Sequence, residues 1–206
     1  MTGIAGTGKS SVLGELGRRG YRVVDTDDEG WREYRRYLEP ADELHRGQWL
    51  WVESRMAAVL DFDDGRSLFI GGCARNQSKF HDRFDAVVLL SAPADVMLDR
   101  VARRTTNSYG KAAWERAEIL TDLAEIEPLL RQSCTHELDS SRPLDAVVAD
   151  LISIESLSDQ AATAGDRRAA DGGCEVSPES LPTAFRTRTS VDGGPNGRNR
   201  LRSERA

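Results

Sequence analysis

The sequence predicts an α/β domain in three layers, with a parallel β-sheet between two layers of helices. Short apolar runs typical of strands alternate along the chain with longer stretches in which apolar residues recur every three or four positions. This alternation is typical of parallel sheets. One of the apolar runs stops at a glycine pair and another at acidic residues. In open sheets, ligands bind at the edge where the strands end in this way.

The chain begins with a glycine-rich loop, Gly3-Ile4-Ala5-Gly6-Thr7-Gly8-Lys9-Ser10, which has the Walker A form G-x-x-x-x-G-K-[ST]. Its glycines let successive backbone N–H groups turn toward an anion. Lys9 is expected to contact the β- and γ-phosphates, and Ser10 to offer its hydroxyl to Mg²⁺. The sequence therefore predicts a P-loop NTPase fold with ATP and Mg²⁺ as cofactors. The predicted nucleotide contacts are Gly3, Gly6, Thr7, Gly8, Lys9, Ser10, Ser11 and Arg142. The alternative is a glycine-rich turn that caps a helix and binds nothing.

Only Met1 and Thr2 precede this loop, whereas a P-loop normally follows a hydrophobic central strand. The first strand is therefore predicted to be largely missing. Either the start of translation lies further upstream, or the protein lacks most of its central strand. We favour the first explanation, because an open central position leaves the neighbouring strands with unpaired backbone groups.

The composition of the 206 residues, 39% hydrophobic and 30% charged, predicts one domain at 1–155 and a disordered tail at 156–206. The net charge of -6 argues against nucleic acid as the main partner. No apolar window is long enough for a membrane span and no signal peptide is recognisable, so a cytoplasmic location is expected. Cys73, Cys134 and Cys174 lack metal-ligand spacing and are expected to be free thiols.

The first strand after the P-loop helix, Tyr21–Val24, runs into Asp25-Thr26-Asp27. Asp25 and Asp27 alternate about the strand axis, so one can face the metal while the other faces an acceptor hydroxyl. We assign Asp25 to the metal. The alternative is that these acids cap the next helix.

The region 31–62 is predicted to be helical, interrupted by Pro40 and Gly47, and to close over an acceptor. Most of its aromatic side chains are expected in the core. Arg55 is the candidate clamp for an anionic group of the acceptor.

Two further strands are predicted at Ser67–Gly72 and Ala86–Ser91. Gly71 and Gly72 would let the backbone approach a ligand closely. A helix after Pro93 leads into a predicted mobile lid at 103–113, whose candidate cations are Arg103, Arg104 and Lys111. The alternative for these cations is that they complement the helix dipole. A scaffold helix at 112–131, a strand at Thr135–Asp139 and a closing helix from Arg142 complete the prediction, and an adenine could rest at the turn before that helix.

Several of these motifs together resemble small P-loop kinases over Gly3 to Leu151, most closely shikimate kinase within the nucleoside-monophosphate-kinase-like group. They are the P-loop, Asp25-Thr26-Asp27, Gly71-Gly72, Arg103-Arg104-Thr105 and Glu127-Pro128-Leu129-Leu130. The resemblance implies that Lys9 binds ATP and Ser10 binds Mg²⁺. It also implies that Asp25 and Asp27 bind the acceptor hydroxyl and a water molecule on the metal. Gly71 and Gly72 would line the acceptor pocket, and Arg103 and Arg104 would contact the transferred phosphate.

Three departures from the family pattern concern the acceptor. Ile126 stands where the family has an arginine for the substrate carboxylate, Cys73 replaces a third glycine, and Lys111 stands about where a lid arginine is expected. Loss of a charge-assisted contact worth about 1.5–3 kcal/mol is enough to change substrate preference, which argues against shikimate itself.

The functional hypothesis is a Mg²⁺-dependent kinase that transfers the γ-phosphoryl group of ATP to a hydroxyl or phosphate of a small, anionic acceptor. We expect a monomer or a weak dimer. One alternative is an ATP-binding regulatory module without an acceptor, whose aromatic segment around Trp49 and Trp51 contacts a protein. Another is a defective gene product.

Overall fold

The computed structural model describes residues 1–36 and 47–171. The helices are α1 (Lys9–Arg18), α2 (Glu53–Asp61), α3 (Ala94–Arg103), α4 (Ala113–Glu125), α5 (Glu127–Ser133) and α6 (Leu144–Asp171). The strands are β1 (Arg22–Asp25), β2 (Arg32–Arg36), β3 (Gly47–Trp51), β4 (Leu68–Gly71), β5 (Val88–Ser91) and β6 (His136–Asp139), and a 3-10 helix covers Gln77–Arg83.

The central sheet consists of two parallel pairs, β1 with β4 and β5 with β6. The first two residues of the chain connect them. The Met1 amine donates to the carbonyl of Ile70 at 2.6 Å, and the Gly72 N–H donates to the Met1 carbonyl at 3.3 Å. On the other side, the Thr2 N–H donates to Val88 O at 2.8 Å and Thr2 O accepts from Leu90 N–H at 2.9 Å. The order across the sheet is therefore β1, β4, the Met1–Thr2 segment, β5, β6.

Side chains of β5 alternate between the two helical layers, as the period of a strand requires. Val88 and Leu90 pack with α1 and α6, whereas Leu89 packs with α3, α4 and α5. A third apolar cluster, around Met56 and Phe80, joins α2 and the 3-10 helix to the β4 side. The predicted three-layer α/β fold with a parallel sheet is confirmed.

A cavity of about 380 Å³ lies between β4 and β5, below the Met1–Thr2 segment. Its lining includes Leu68 and Ile70 from the β4 side, Val88 from β5, and Leu151 from α6. Within the described residues, no backbone hydrogen bond crosses between the facing edges of β4 and β5 at this level. The predicted gap in the central strand is thus present. Burial, followed by the charge of Lys9, lowers the pKa of the Met1 amine to about 5.

The helical prediction for the region after Trp31 is wrong over its first part. β2 and β3 form an antiparallel hairpin, with Tyr34 opposite Trp49 and their ring centroids 5.2 Å apart, and only then does α2 begin, at Glu53. Aromatic residues favour strands, and a cross-strand aromatic pair stabilises a hairpin. Pro40, one of the two predicted interruptions, lies outside the described residues.

The predicted tail also differs from the structure, because α6 continues past Ser156 to Asp171. Ile152 and Ile154 continue the apolar stripe of this helix and pack on the cluster around Val147 and Leu151. The predicted tail from 172 onward lies outside the described residues, as does Cys174. Cys73 and Cys134 are free thiols, as predicted.

Filling the gap in the sheet should stabilise the fold. A Val-Ile-Val extension fused before Met1 would pair with both strand edges, bury apolar side chains and replace the buried amine by an amide. Each buried side chain contributes about 1.5–3 kcal/mol against about 1–2 kcal/mol for ordering its backbone. At about 2–4 °C per kcal/mol for a chain of this size, we expect Tm in thermal unfolding to rise by at least about 3 °C.

A Gly-Ser-Gly extension is the matched control, because it also removes the amine and adds no apolar surface. Equal melting temperatures for the two extended proteins would contradict the expectation.

Candidate active site

The P-loop is built around three glycines with positive φ, Gly3 (152°), Gly6 (96°) and Gly8 (88°). A Cβ on Gly3 would lie 2.4 Å from the carbonyl oxygen of Leu90, and one on Gly6 would lie 2.7 Å from that of Met97. The loop is therefore wrapped against the end of β5 and the start of α3 more closely than any side chain allows. The first N–H groups of α1 follow directly, so the backbone forms a cradle suited to phosphate.

Lys9 is held inside this loop, with 9% of its surface exposed. Its Nζ donates to Gly3 O at 2.7 Å and to Ile4 O at 3.3 Å. Thr7 is fully buried and donates from Oγ1 to Ile4 O at 2.8 Å, so its side chain holds the loop together. Ser10 and Ser11 are exposed on the first turn of α1, where a hydroxyl can reach a bound metal.

The two strand-end acids make different contacts. The Asp25 carboxylate accepts the backbone N–H of Asp27 at 3.0 Å and so shapes the turn after β1. Asp27 Oδ1 pairs with Arg32 Nη1 at 2.7 Å. The position of Asp27 relative to the loop follows from backbone hydrogen bonds at the end of β4. The Thr26 N–H donates to Gly71 O at 2.8 Å, and the Gly72 N–H donates to the carbonyl of Met1, two residues before the loop, at 3.3 Å. Asp27 thus follows β1 at the edge of the sheet that carries the P-loop.

The two predicted lid arginines are separated by the structure. Arg103 is on the outer face of α3, with 80% of its side chain exposed, and pairs with Asp99 at 2.8 Å. Arg104 turns inward, and its Nη2 donates to the carbonyl of Tyr109 at 2.8 Å. Burial lowers the pKa of Arg104, and the charge of Asp27 opposes that shift. Arg104 is therefore the less exposed of the two arginines.

Arg100 lies beside the P-loop and is not among the predicted site residues. Its Nη2 donates to Ser140 O at 2.7 Å, and its Nη1 lies 3.8 Å from the position that a Cβ on Gly8 would occupy. The four-residue spacing between Arg100 and Arg104, which puts both on one helix face, is the signal that could have found it.

Both inward arginines carry an unused donor. Arg100 Nη1 and Arg104 Nε are buried and have no hydrogen-bond partner within the described residues. Buried donors are nearly always paired, so Arg100 Nη1, which lies beside Gly8, fits an anionic ligand placed between α3 and the loop.

Other predicted contacts are occupied elsewhere. Lys111 Nζ donates to the carbonyls of Val101, Ala102 and Arg104 at 2.9, 2.7 and 2.6 Å and so caps the end of α3, and its contact with a substrate stays a prediction. Arg142 pairs with Asp150 at 2.6 Å.

The predicted anion clamp, Arg55, lies over the Trp31 ring, 5.8 Å from its centroid, and against Gly30. Its pairing with an anionic group stays a prediction.

The glycine pair at the end of β4 is required by packing. A Cβ on Gly71 would lie 2.6 Å from Leu13 Cδ1, and one on Gly72, whose φ is 153°, would lie 1.7 Å from Thr26 Oγ1. The pair thus fits the end of β4 against α1 and against the turn that carries Asp27.

A magnesium ion fits the donors at this edge without a protein cage. Among the described residues, no three or more His, Cys, Asp and Glu side chains are grouped to hold a metal. Mg²⁺ usually keeps several waters and takes one or two protein oxygens together with substrate phosphates. The Ser10 hydroxyl and the Asp25 carboxylate are the candidate protein oxygens.

The sequence matches one protein family over most of its described part. Residues 1–121, more than half of the chain, match the family model described as an AAA domain. The chain belongs to the AAA domain family. No curated protein matches it. In the described part of this AAA domain protein, no helix has the length and apolar character needed to cross a bilayer.

Solved structures similar to the AAA domain chain include three shikimate kinases. The enzyme from Acinetobacter baumannii in complex with shikimate is 17% identical with a TM-score of 0.48, and the comparison covers 77% of this chain and 91% of that one. The enzyme from Bacteroides thetaiotaomicron is 15% identical, with 75% and 95% covered and a TM-score of 0.47. The enzyme from Aquifex aeolicus is 18% identical, with 75% and 95% covered and a TM-score of 0.37.

The cradle geometry makes a prediction for two glycines. Gly6→Ala should cost about 1–3 kcal/mol of unfolding free energy and abolish binding of an ATP analogue, because the new Cβ meets Met97 O and the positive φ is strained. Gly14→Ala is the control, since nothing lies within 4 Å of its Cβ position, and in mid-helix it should stabilise by up to about 1 kcal/mol. Urea unfolding and calorimetric titration measure both. Unchanged analogue affinity in Gly6→Ala would show that the loop does not hold the nucleotide.

Proposed function

We propose that this AAA domain protein is a kinase that transfers the γ-phosphoryl group of ATP to a hydroxyl or phosphate of a small acceptor, in a magnesium-dependent reaction. The observation that carries the proposal is the position of Asp27 at the edge of the sheet that holds the P-loop. The N–H of its neighbour Thr26 donates to Gly71 O at 2.8 Å, and the N–H of Gly72 donates to the carbonyl of Met1, two residues before the loop. A loop that only binds a nucleotide needs no acid there, whereas transfer to a hydroxyl needs an acid that orients it.

In this proposal, one group of residues binds the nucleotide and the metal, and another binds the acceptor and stabilises the transferred group. Lys9 and the loop backbone bind phosphate oxygens, and Ser10 and Asp25 hold the metal. When bound, Mg·ATP supplies the transferable phosphoryl group and a cation that neutralises its oxygens. Arg104 stabilises negative charge that develops during transfer, and Arg100 holds the nucleotide beside Gly8. Asp27 accepts the hydrogen bond of the attacking hydroxyl and so directs its oxygen toward the loop.

A second function is favoured by one observation, the exposure of aromatic side chains on the hairpin. Trp49 and Tyr34 are 45% and 46% exposed. In a nucleotide-binding interaction module these rings would contact a partner protein. Such a module would bind ATP tightly, hydrolyse it slowly, and respond to no acceptor.

The experiment that separates the two functions measures ATP consumption with panels of hydroxy acids, sugars and nucleoside monophosphates. A kinase should consume ATP faster with at least one acceptor and form its phosphorylated product. Lys9→Ala should lower kcat/KM at least 100-fold, because it removes a cation from the phosphates. Full activity in Lys9→Ala would refute the mechanism, and hydrolysis that no acceptor accelerates would favour the interaction module.

The adjacent arginines offer a matched comparison at the end of α3. Arg104→Ala should lower kcat/KM about 10²–10³-fold, since it removes a preorganised donor at the developing charge. Arg103→Ala makes the same change in net charge on the solvent face and should stay within twofold of the unaltered protein. Steady-state kinetics with the acceptor found above provide the measurement. Equal losses in both variants would indicate a general effect of charge and count against a role for Arg104 in transfer.

A further inference from the structure

The ion pair between Asp27 and Arg32 involves the acid assigned to the acceptor hydroxyl. The two atoms are 2.7 Å apart, and the side chains are 33% and 27% exposed, so the pair is partly buried and still accessible to a ligand. The carboxylate and the guanidinium can therefore be contacted by the same small molecule.

The guanidinium of Arg32 is supported by an aromatic ring. Its Cζ lies 4.5 Å from the centroid of Trp49, and Trp49 in turn contacts Tyr34. A ring of this kind fixes the plane of a guanidinium and favours its charged form. Within the described residues, Asp27 is the one ion-pair partner of Arg32, and their shortest contact is through Nη1. The remaining N–H groups are donors available to a second oxyanion.

The hairpin that carries Arg32 is attached rigidly to the acid turn. Trp51 Nε1 donates to Thr26 Oγ1 at 2.9 Å, and Thr26 Oγ1 donates to Gly71 O at 3.0 Å. Asn76 holds the backbone of Trp51 from the other side, with Oδ1 accepting at 2.9 Å and Nδ2 donating at 3.1 Å. The separation of Arg32 and Asp27 is thus set by the scaffold and does not depend on a loose surface loop.

We propose that Arg32 is a specificity-determining residue that binds a carboxylate or phosphate group of the acceptor beside the hydroxyl held by Asp27. The inference rests on the proposed kinase function and narrows its substrate to small molecules that carry an oxyanion near the reacting hydroxyl.

The preference for an anionic acceptor follows from the ion pair between Asp27 and Arg32, which the acceptor must open. A neutral alcohol that reaches Asp27 competes with Arg32 and replaces a charge-assisted bond by a weaker one. An acceptor with its own oxyanion gives Arg32 a replacement partner at the same moment, so Asp27 is released to the hydroxyl with neither charge left unpaired.

The test compares matched acceptors in the full chain. Glycerate and gluconate represent hydroxy acids, glycerol 1-phosphate and glucose 6-phosphate represent hydroxy phosphates, and glycerol and glucose are the neutral forms. Binding is measured by calorimetry with a non-hydrolysable ATP analogue and Mg²⁺, and turnover with ATP. We expect at least one anionic probe to bind 10-fold or more tightly than its neutral form, and the two anionic groups of probes distinguish carboxylate from phosphate. No preference for any anionic probe would overturn the inference.

The variant Arg32→Gln should raise KM or Kd for the preferred anionic probe about 10- to 100-fold, with kcat changed less than threefold and the affinity for the ATP analogue unchanged. Arg32→Lys, which keeps the charge and loses the fork, should recover part of the affinity. Arg35→Gln is the control, because this arginine is on the same hairpin, is 67% exposed and pairs with Glu33. It should behave like the unaltered chain.

Two outcomes overturn different statements. Anionic preference that survives Arg32→Gln, or is lost equally in Arg35→Gln, refutes the role of Arg32 and leaves the kinase function standing. Binding of an anionic probe that depends on Arg32, without phosphorylation of any probe or panel acceptor, supports the anion site and refutes the kinase function.

Discussion

Backbone hydrogen bonds of Met1 and Thr2 hold the two halves of the sheet together. On one side they join β4 through Ile70 and Gly72, and on the other they join β5 through Val88 and Leu90. The acids follow β1 on the first half, and the inward arginines are on α3 behind the second half. Because Gly3 follows Thr2 directly, the same short segment sets the position of the phosphate cradle between them. The geometry of the whole site therefore depends on a sheet that is narrow at its centre.

The charges of the site oppose the charge of the protein as a whole. The chain carries a net charge of -6, yet Lys9 is held inside the P-loop and Arg100 lies beside Gly8. A buried donor without a partner costs about 1–3 kcal/mol. Such a cost can be retained where a ligand supplies the missing acceptor, and the unpartnered Nη1 of Arg100 lies beside the loop that has the phosphate motif. A bound phosphate would satisfy this nitrogen and stabilise the fold by the same interaction.

The sequence predicts those features whose signal is local. The P-loop, β1, β4 and β5 each follow from a contiguous motif or apolar run, and their order predicts a parallel sheet. The β2–β3 hairpin was not predicted, since its strands are short and rich in arginine and its decisive contact, Tyr34 with Trp49, joins residues that no local pattern relates. For the candidate site, the sequence predicts the P-loop and the acidic residues after β1. The sequence could not predict that Arg103 is exposed while Arg104 is partly buried, because this difference depends on how α3 is rotated against the loop.

Asp27 pairs with Arg32 of the β2–β3 hairpin, whereas Arg100 and Arg104 lie on and at the end of α3, a separate element. The P-loop and α3 lie against β5, whereas the hairpin is joined to the turn after β1 through Thr26 and Trp51. In the proposed kinase the first set of elements would bind the nucleotide and the second would bind the acceptor, so substitutions on the hairpin would change the acceptor without moving the P-loop. Arg32 would then supply the anion contact that the family resemblance places where Ile126 stands, since an oxyanion next to Asp27 needs one well-placed guanidinium, whichever element carries it.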